Sequence, residues 1–302
     1  MSPEHEPAPE VVVQTLLATP SVTVRHVCCR GDCRGHGPEE SALATELVFP
    51  YRGVFARHLG RDQAVAEANQ VLFFNSGDGY RVSHPVAGGD ACLSLAIDES
   101  LLRELTPKAM LRDGGLTAFH RQQRPVGPQA QAVLALLRRR LQNGEADPLE
   151  AESLAIGLVQ QALDADLPGP ASVGRRKLAD RAKLALSSDL GRRWTLAEIA
   201  AEVGGSPVYL TQVFRQVEGV PLYRYQLRLR LARALDLMDA ETDLTSLGLD
   251  LGFSSHSHFT AAFRDAYGRS PDAFRRESSP PRTRSGGKPK LRLENTVSKS
   301  TS

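Results

Sequence analysis

The feature that most constrains this 302-residue chain is a pattern that occurs twice in its last third. The first copy, unit 1, spans residues 195–215, and the second, unit 2, spans residues 243–264. Five positions recur 48 residues later and five more recur 49 residues later. They pair as Leu196/Leu244, Ile199/Leu247, Ala200/Gly248, Val203/Leu251, Gly204/Gly252, Ser206/Ser255, Leu210/Phe259, Phe214/Phe263, Arg215/Arg264 and Gly219/Gly268. The spacing predicts an internal repeat with one residue added in the second turn.

Each unit has the pattern of a helix, a tight turn and a second helix. In unit 1 the capping pair Thr195 and Glu198 precedes an apolar face with helical spacing, and two glycines end that helix. Ser206 and Pro207 are typical of the start of the next helix. A serine there accepts hydrogen bonds from backbone amides, and the N–H that proline lacks would have no partner within the helix at that position. The pattern predicts two helix-turn-helix units, whose second helices can enter a major groove.

The apolar faces leave small and polar side chains on the outer side of each second helix. Such groups can approach base edges, and arginines beside them can reach phosphate. The set is Val208, Thr211, Gln212 and Arg215 in unit 1, with His256, Ser257, Thr260, Ala261 and Arg264 in unit 2. Gln212 is the best direct reader, because an amide can bond adenine through two hydrogen bonds. For Arg215 and Arg264, phosphate contact and internal pairing both stay open.

One long helix is predicted between the units, from residue 222 to about residue 239. At 1.5 Å per residue it spans roughly 27 Å. That length can hold two recognition helices near the ~34 Å repeat of B-DNA. We therefore expect one chain to read two successive major grooves on one side of the duplex.

This segment resembles the DNA-binding domain of the AraC/XylS family of bacterial transcription regulators. The likeness is carried by unit 2 with its exit and by part of the linking helix. Its residues are Gly252-Phe253-Ser254, His258-Phe259, Phe263-Arg264, Tyr267-Gly268-Arg269-Ser270-Pro271, Phe274-Arg275, Arg230-Leu231, Ala234 and Leu237-Met238. Two positions depart from the family pattern. Many members carry arginine where this chain has Ala261 and alanine where it has Gly248, and glycine weakens a helix interior by about 1 kcal/mol.

The resemblance implies sequence-specific binding to promoter or operator DNA. It also implies that the positions matching Val208, Thr211 and Gln212, and those matching His256, Ser257, Thr260 and Ala261, read bases. It places a cupin-like effector or sensor domain ahead of the DNA-binding domain. It leans towards activation, which would make RNA polymerase a further partner.

The chain before the repeat has the texture of a small β domain. Short runs rich in Val, Phe, Leu and Tyr alternate with strong turn signals at residues 75–79 and 88–90. The predicted strands are 22–27, 43–49, 54–58, 63–68, 71–74, 80–82 and 92–97. Several short strands at close spacing favour a small barrel or jelly roll, in agreement with the cupin-like domain that the resemblance implies.

Helical spacing follows at residues 99–105, 129–141 and 149–165, and these helices would complete the barrel core or form a dimer seam. The expected organisation is a two-domain fold. A disordered start (1–15) precedes the β domain with its helices (16–166), a Pro/Gly-rich linker (167–174), an all-α DNA-binding domain (175–277) and a disordered basic tail (278–302). The DNA-binding domain would open with a helix over 175–190, and Trp194 would pack in its core.

Charge is distributed unevenly between the two halves. Residues 1–174 hold 15 Lys/Arg against 21 Asp/Glu, whereas residues 175–302 hold 22 against 14. The basic half is the half with the repeat, as binding to a polyanion requires. No apolar run approaches the ~20 residues that span a bilayer. The acidic first residues lack the apolar core of a secretory signal, so we expect a cytoplasmic protein without membrane contact.

Three of the four cysteines lie close together, in a segment that also holds a histidine. The group of Cys28, Cys29, Cys33 and His36 is the one candidate for a metal or redox site. Its spacing matches no standard zinc pattern, and adjacent strand residues point to opposite faces, so inert cysteines are the favoured interpretation.

Two hypotheses of different class remain. The first is a DNA-binding transcription regulator controlled by its N-terminal domain, with a small-molecule effector and homodimerisation both open. The second is a cupin-type metal-dependent enzyme, or a redox or metal sensor, fused to a DNA-binding domain. Cupin enzymes pair two histidines one residue apart with a glutamate, whereas His58 and His84 are isolated in this sequence. We therefore expect a regulator without a cofactor and without enzyme activity.

Overall fold

The β texture of the N-terminal half folds into two sheets. The computed structural model describes residues 11–30, 35–112, 114, 117–165, 169, 171–238, 240–241 and 243–277. Within these residues the strands are β1 (Val11–Ala18), β2 (Val22–Cys29), β3 (Glu40–Ser41), β4 (Glu46–Arg52), β5 (Phe55–Leu59), β6 (Asp62–Ala66), β7 (Gln70–Phe74), β8 (Gly79–Ser83), β9 (Asp90–Ile97) and β10 (Gln123–Pro125).

The larger sheet has the strand order β1-β2-β9-β4-β7-β10, and the smaller has the order β3-β8-β5-β6. Side chains alternate between the two faces of the larger sheet, as the period of two requires. One face meets the smaller sheet through Val48, Phe74 and Cys92. The other face, which includes Val24, packs against helices. The predicted small β domain is confirmed.

Three helices belong to this domain: α1 (Glu99–Leu105), α2 (Pro128–Asn143) and α3 (Pro148–Asp164). Leu134 and Leu137 of α2 and Leu158 of α3 lie in the same buried cluster as Leu93 and Leu95 of β9. At about 25 cal/mol per Å² of buried apolar surface, such contacts are the main stabilising term of a domain. The helices therefore complete the core of the sheet, as expected.

The regular elements in the described residues of the C-terminal half are all helices. It holds α4 (Val173–Ser188), α5 (Leu196–Val203), α6 (Pro207–Glu218), α7 (Leu222–Leu237), α8 (Leu244–Asp250), α9 (His256–Tyr267) and α10 (Pro271–Glu277). Unit 1 is α5 and α6, unit 2 is α8 and α9, and α7 links them. The predicted double helix-turn-helix is confirmed. Helix α7 has 16 residues, which corresponds to about 24 Å rather than 27 Å.

The repeat extends to the capping of the helices. Ser206 accepts a hydrogen bond from the backbone amide of Tyr209 at the start of α6, and Ser255 accepts one from His258 at the start of α9. Thr195 and Glu198 form the predicted capping box of α5. Each cap satisfies a backbone donor that has no partner within its helix.

Some boundaries differ from the expected ones. Residues 11–15 were expected to be disordered, but they belong to β1, because their β-branched side chains lie in a strand that pairs with β2. Helix α4 begins at Val173, inside the predicted linker, and Ser172 caps it. The expected disordered tail and residues 1–10 lie outside the described residues. None of the described helices is long and apolar enough to cross a bilayer.

Trp194 was expected in the domain core, but it is only partly buried at the edge of the unit 1 core. Its ring stacks under the Arg192 guanidinium, 3.8 Å from centroid to Cζ, and its indole N–H donates to the Asp189 carbonyl. Indole needs a partner for its N–H, and the loop before α5 supplies one.

The two domains are packed against each other. Ala68 from the turn after β6 lies in the buried cluster of α4, α5 and α6, and Ala135 of α2 lies in the cluster of α7, α8 and α9. Arg138 of α2 forms an ion pair with Asp236 of α7 at 2.9 Å. The helical domain is thus held against the β domain by both apolar and charged contacts.

Candidate nucleic-acid interface

Helix α6 turns one apolar face inward and leaves the opposite face open. Leu210, Val213 and Phe214 are buried in the unit 1 core. Val208, at 68% exposure, lies on the open face with Thr211, Gln212 and Arg215. An apolar valine this exposed carries a hydration cost that contact with a groove wall would remove. The structure therefore brings the four predicted unit 1 residues together on one exposed surface.

Tyr209 is a further exposed residue of α6 that the sequence analysis did not single out. It is 47% exposed and follows Val208 directly. A signal was available, because Tyr209 falls outside the apolar spacing of Leu210, Val213 and Phe214. An exposed tyrosine at the start of this helix can donate a hydrogen bond to phosphate or stack on a sugar.

Helix α9 repeats the arrangement in unit 2. Phe259 and Phe263 are fully buried, and Tyr267 is buried as well. His256, Ser257, Ala261 and Arg264 are exposed, and Thr260 is half-buried. The five predicted unit 2 residues share the outer side of the helix.

The two histidines at the start of α9 are held differently. The His256 ring lies between the hydroxyls of Thr245 and Thr260, at 3.3 Å from each through its two nitrogens. The His258 ring packs edge-on against Phe253 and contacts the Ser254 hydroxyl at 3.0 Å. Both histidines are exposed, but His258 is held by the turn through Phe253 and Ser254, whereas His256 is held by Thr245 and Thr260.

Arg215 and Arg264 occupy equivalent positions in the two units, and both are exposed. Among the described residues neither forms an ion pair, although neighbours such as Arg192, Arg233 and Arg275 do. Of the two alternatives left open by the sequence, internal pairing is not what the structure has. A guanidinium without an internal partner can serve a phosphate group, for which its geometry is suited.

Arg230 of α7 fixes the position of unit 2 relative to the start of unit 1. Its Nε donates to the Leu190 carbonyl at 2.8 Å, and its Nη2 donates to the Arg192 carbonyl at 2.8 Å. Its Nη1 donates to the Gly252 carbonyl at 3.1 Å, in the turn of unit 2. One side chain thus bridges the loop before α5 and the turn before α9, which gives the two units a defined mutual geometry.

The Gly248 departure has a packing cause. A Cβ at this position would lie 3.0 Å from the Phe259 Cβ and 3.1 Å from two of its ring carbons. Glycine therefore lets α8 and the recognition helix α9 approach closely. This close packing offsets the low helix propensity of glycine. The loss of helix stability expected from the sequence is therefore only part of the effect of Gly248 on stability.

A buried polar network joins the β domain to the helical domain. Lys183 of α4 is 0% exposed and lies 2.9 Å from Asp180 and 3.1 Å from Glu218. Burial works against its charged form, but Asp180, Glu218 and Glu67 outweigh that cost and raise the Lys183 pKa. Glu67 comes from the loop after β6, so the network has members on both domains.

This network has more carboxyl groups than cationic groups, and Glu67 is the carboxyl group in excess. Its carboxylate accepts hydrogen bonds from the Tyr225 hydroxyl and from the Asn69 backbone amide. Burial nevertheless raises the pKa of Glu67 to about 7, with the Lys183 charge and those hydrogen bonds opposing the shift. Three carboxyl groups around one ammonium cannot all be neutralised, so protonating Glu67 relieves the site near neutral pH.

A half-open cavity of about 460 Å³ lies between the two sheets of the β domain. Part of its lining is apolar and includes Val27, Phe55 and Phe74. One part is polar, since Arg25 pairs with Glu46 at 2.7 Å. A cavity of this size and mixture is typical of a small-molecule site.

The cysteine group predicted from the sequence is not assembled as one site. Cys29 faces the cavity, while Cys28 contacts Arg52 on the other side of the sheet, with 3.5 Å between Sγ and Nη2. His36 instead lies beside His58, with ring centroids 4.1 Å apart. Cys33 lies outside the described residues. Adjacent strand residues point to opposite faces, which separates Cys28 from Cys29.

Comparison with protein families gives a match in the same region as the repeat. A family model described as a helix-turn-helix domain matches residues 199–277. The match begins inside α5 and covers the rest of unit 1, α7, unit 2 and α10. A solved structure of a transcriptional regulator from Chromobacterium violaceum, titled as having an AraC-type DNA-binding domain, has 28% identity and a TM-score of 0.34. It covers 36% of this chain and 99% of that one.

Two curated relatives match this chain at moderate identity. The HTH-type transcriptional activator RhaR of Klebsiella pneumoniae is 30% identical over 156 residues, which is 50% of this chain and 55% of RhaR. The HTH-type transcriptional regulator ArgR of Pseudomonas aeruginosa is 35% identical over 92 residues, which is 30% of this chain and 28% of ArgR. The chain thus spans about half the length of one relative and less of the other.

Proposed function

We propose that the chain is a transcription regulator of the AraC/XylS type that binds operator DNA through both units under the control of its β domain. Helices α6 and α9 lie in successive major grooves on one face of the duplex. Gln212 reads a base in the first groove, with Val208 and Thr211 beside it. The second groove is contacted by four residues of α9, namely His256, Ser257, Thr260 and Ala261.

The observation that carries the proposal is the repeated open face of α6 and α9. Both helices bury their aromatic or aliphatic side and leave a polar side with a single arginine, Arg215 or Arg264, at the same position. These two arginines hold phosphates and set the register of the protein on DNA. Arg230 keeps the two helices in a fixed relation, so that both can engage one duplex.

The β domain controls this activity through its contacts with α4 and α7. A small-molecule effector in the cavity between the sheets would change the position of β4, which contacts α7, and of the loop that carries Glu67. A ligand shifts an equilibrium only through its different affinity for the two states. The cavity and the outer faces of α6 and α9 are the two sites that such coupling needs, and the buried interface connects them.

The direction of control is activation, with RNA polymerase as the protein partner. Two facts support this part of the proposal: RhaR is a transcriptional activator by its name, and its match extends beyond the helix-turn-helix region. No catalytic activity is proposed. Homodimerisation remains an expectation of the sequence, to be tested by sedimentation of the full-length protein.

The experiment is selection of DNA from a random pool with the full-length protein, followed by hydroxyl-radical footprinting at two salt concentrations. We expect two protected patches about one helical turn, or ~34 Å, apart on one face. A single patch would show that one unit alone reads DNA. Failure to enrich any sequence, with the protein folded, would overturn the proposal.

A further inference from the structure

The cavity of the β domain holds three buried side chains with donor atoms suited to a transition metal. Cys29, His84 and Asp90 offer a thiol, an imidazole nitrogen and a carboxylate oxygen that all lie within 4.8 Å of one another. It is the one such group of three in the part of the chain that the structure describes. We propose that these three residues bind a divalent transition-metal ion of the zinc type, with its remaining coordination position open to the cavity.

The three side chains are brought together by the sheet topology. Cys29, the last residue of β2, is the antiparallel partner of Asp90, the first residue of β9. Paired residues of neighbouring strands project to the same face, which here lines the cavity. His84 follows the last residue of β8, at the other end of the turn that leads into β9. The turn therefore returns the imidazole to the carboxylate.

The backbone is shaped for this close approach. Gly89, directly before Asp90, has a φ of +69°, and a Cβ there would lie 2.3 Å from the Cys29 carbonyl oxygen. A side chain at this position would force β2 and the turn apart. Glycine thus keeps Cys29 and Asp90 in register at the end of the sheet.

The separation of His84 and Asp90 is close to that of two ligands of one ion. His84 Nε2 lies 3.0 Å from Asp90 Oδ2, and both side chains are buried. Yet Asp90 Oδ2 accepts no hydrogen bond from any described residue. For zinc bonds of about 2.0–2.1 Å to nitrogen and oxygen, a tetrahedron places two ligand atoms about 3.3 Å apart.

The chemistry of the donor set selects the metal class. Thiolate and imidazole together favour zinc and its neighbours over magnesium or calcium, which take oxygen ligands. Burial of a carboxylate at 6% exposure is costly unless a cation accompanies it. Three protein ligands and one open position are the arrangement of zinc sites that bind a further donor, whereas structural sites are closed by four.

The test is cobalt binding by the full-length, tag-free protein after removal of metals, because Co²⁺ occupies zinc sites and gives a thiolate charge-transfer band. We expect such a band to saturate at one equivalent and to disappear when Zn²⁺ is added. Cys29→Ser should abolish it, and His84→Asn or Asp90→Asn should weaken cobalt binding at least about tenfold. Cys28→Ser is the matched control and should keep the band, since Cys28 faces away from the cavity.

Thermal unfolding separates a metal site from a buried ion pair. Zn²⁺ should raise the melting temperature of the wild type and of Cys28→Ser, but less that of Asp90→Asn and not that of Cys29→Ser, because an ion stabilises a fold only as far as it binds it. Circular dichroism in chelator checks that each variant is folded. The proposal is overturned if the wild type gives no thiolate band, if the band survives Cys29→Ser, or if Zn²⁺ stabilises all variants equally. No DNA is used, so the result is independent of the proposed regulator function.

Discussion

Tyr225 of α7 donates a hydrogen bond to Glu67 of the β domain, and both side chains are buried where the two domains meet. The Gln70 amide adds a bond of 2.8 Å to Glu218 and one of 3.3 Å to Tyr225. A buried interface with so many satisfied polar groups has a defined geometry, because each group loses a partner if the domains shift. This relation supplies the first two predictions.

The stability of the protein should depend on pH through Glu67. Its folded pKa of about 7 lies above its ordinary value of 4.5, so the folded state keeps a proton that the unfolded state releases. Stability should therefore be lost as pH rises from about 4.5 through 7, by on the order of 1–3 kcal/mol. Glu67→Gln should lose this pH dependence. The melting temperature of the variant minus that of the wild type should therefore increase between pH 5 and pH 8. Exposed Glu202→Gln is the control; a Glu67→Gln difference that is constant with pH would contradict the assignment.

Removing one hydroxyl at the interface should weaken it. Tyr225→Phe leaves Glu67 Oε1 without its donor, while Oε2 keeps the Asn69 amide, and a buried atom that loses its partner costs about 1–3 kcal/mol. Denaturant unfolding of the full-length protein measures this loss. Tyr223→Phe, one position from the start of the same helix, is the matched control, because Tyr223 is exposed. Equal effects of the two substitutions would argue against a specific contribution of the Tyr225 hydroxyl.

Base reading by unit 1 should depend on Gln212. Gln212→Ala should cost about 1–3 kcal/mol of binding to the selected operator and relax the preference at one base pair. Gln216→Ala, one turn further along α6, is the matched control, since Gln216 is bonded to Arg175 at 2.8 Å. Competition binding with operators changed at each position provides the measurement. If preference is unchanged in Gln212→Ala, another residue reads the first groove.

Contacts of Arg215 and Arg264 with DNA phosphates should be visible in the salt dependence of the DNA affinity. Arg215→Ala and Arg264→Ala should weaken binding to all sequences alike, and each should lower the slope of affinity against salt by about one. The control is Arg61→Ala, an exposed arginine of the β domain. Titrations at several salt concentrations give the slopes. Loss of base preference with an unchanged slope would mean that these arginines read bases instead.

Gly248→Ala should destabilise the protein although alanine favours helices. The added methyl would meet Phe259, which lies 5.1 Å from Phe253 and 5.8 Å from Phe263 between ring centroids and has little room to move. Overpacking costs about 1–3 kcal/mol, against a propensity gain of about 1 kcal/mol. Gly157→Ala in α3 is the control, since a Cβ there meets nothing within 4 Å and should stabilise. A stabilised Gly248→Ala would show that Phe259 yields to the methyl group.

The sequence by itself determined the helical half of this protein. The repeat, its capping residues and its apolar spacing are local signals, and local signals fix a helix and its buried face. For the same reason the outer residues of α6 and α9 could be named in advance. The short strands could be located but not ordered, because pairing of β2 with β9 joins residues far apart in the chain.

The tertiary structure alone decided which distant side chains meet. Cys29 was grouped with its sequence neighbours Cys28 and His36, but strand alternation separates Cys28 from it, and the sheet places Asp90 opposite it. His84 is isolated in the sequence and lies beside both in the fold. Likewise Glu67, Lys183 and Tyr225 show no pattern along the chain. Their pKa shifts and hydrogen bonds arise from burial between two domains, which no local spacing specifies.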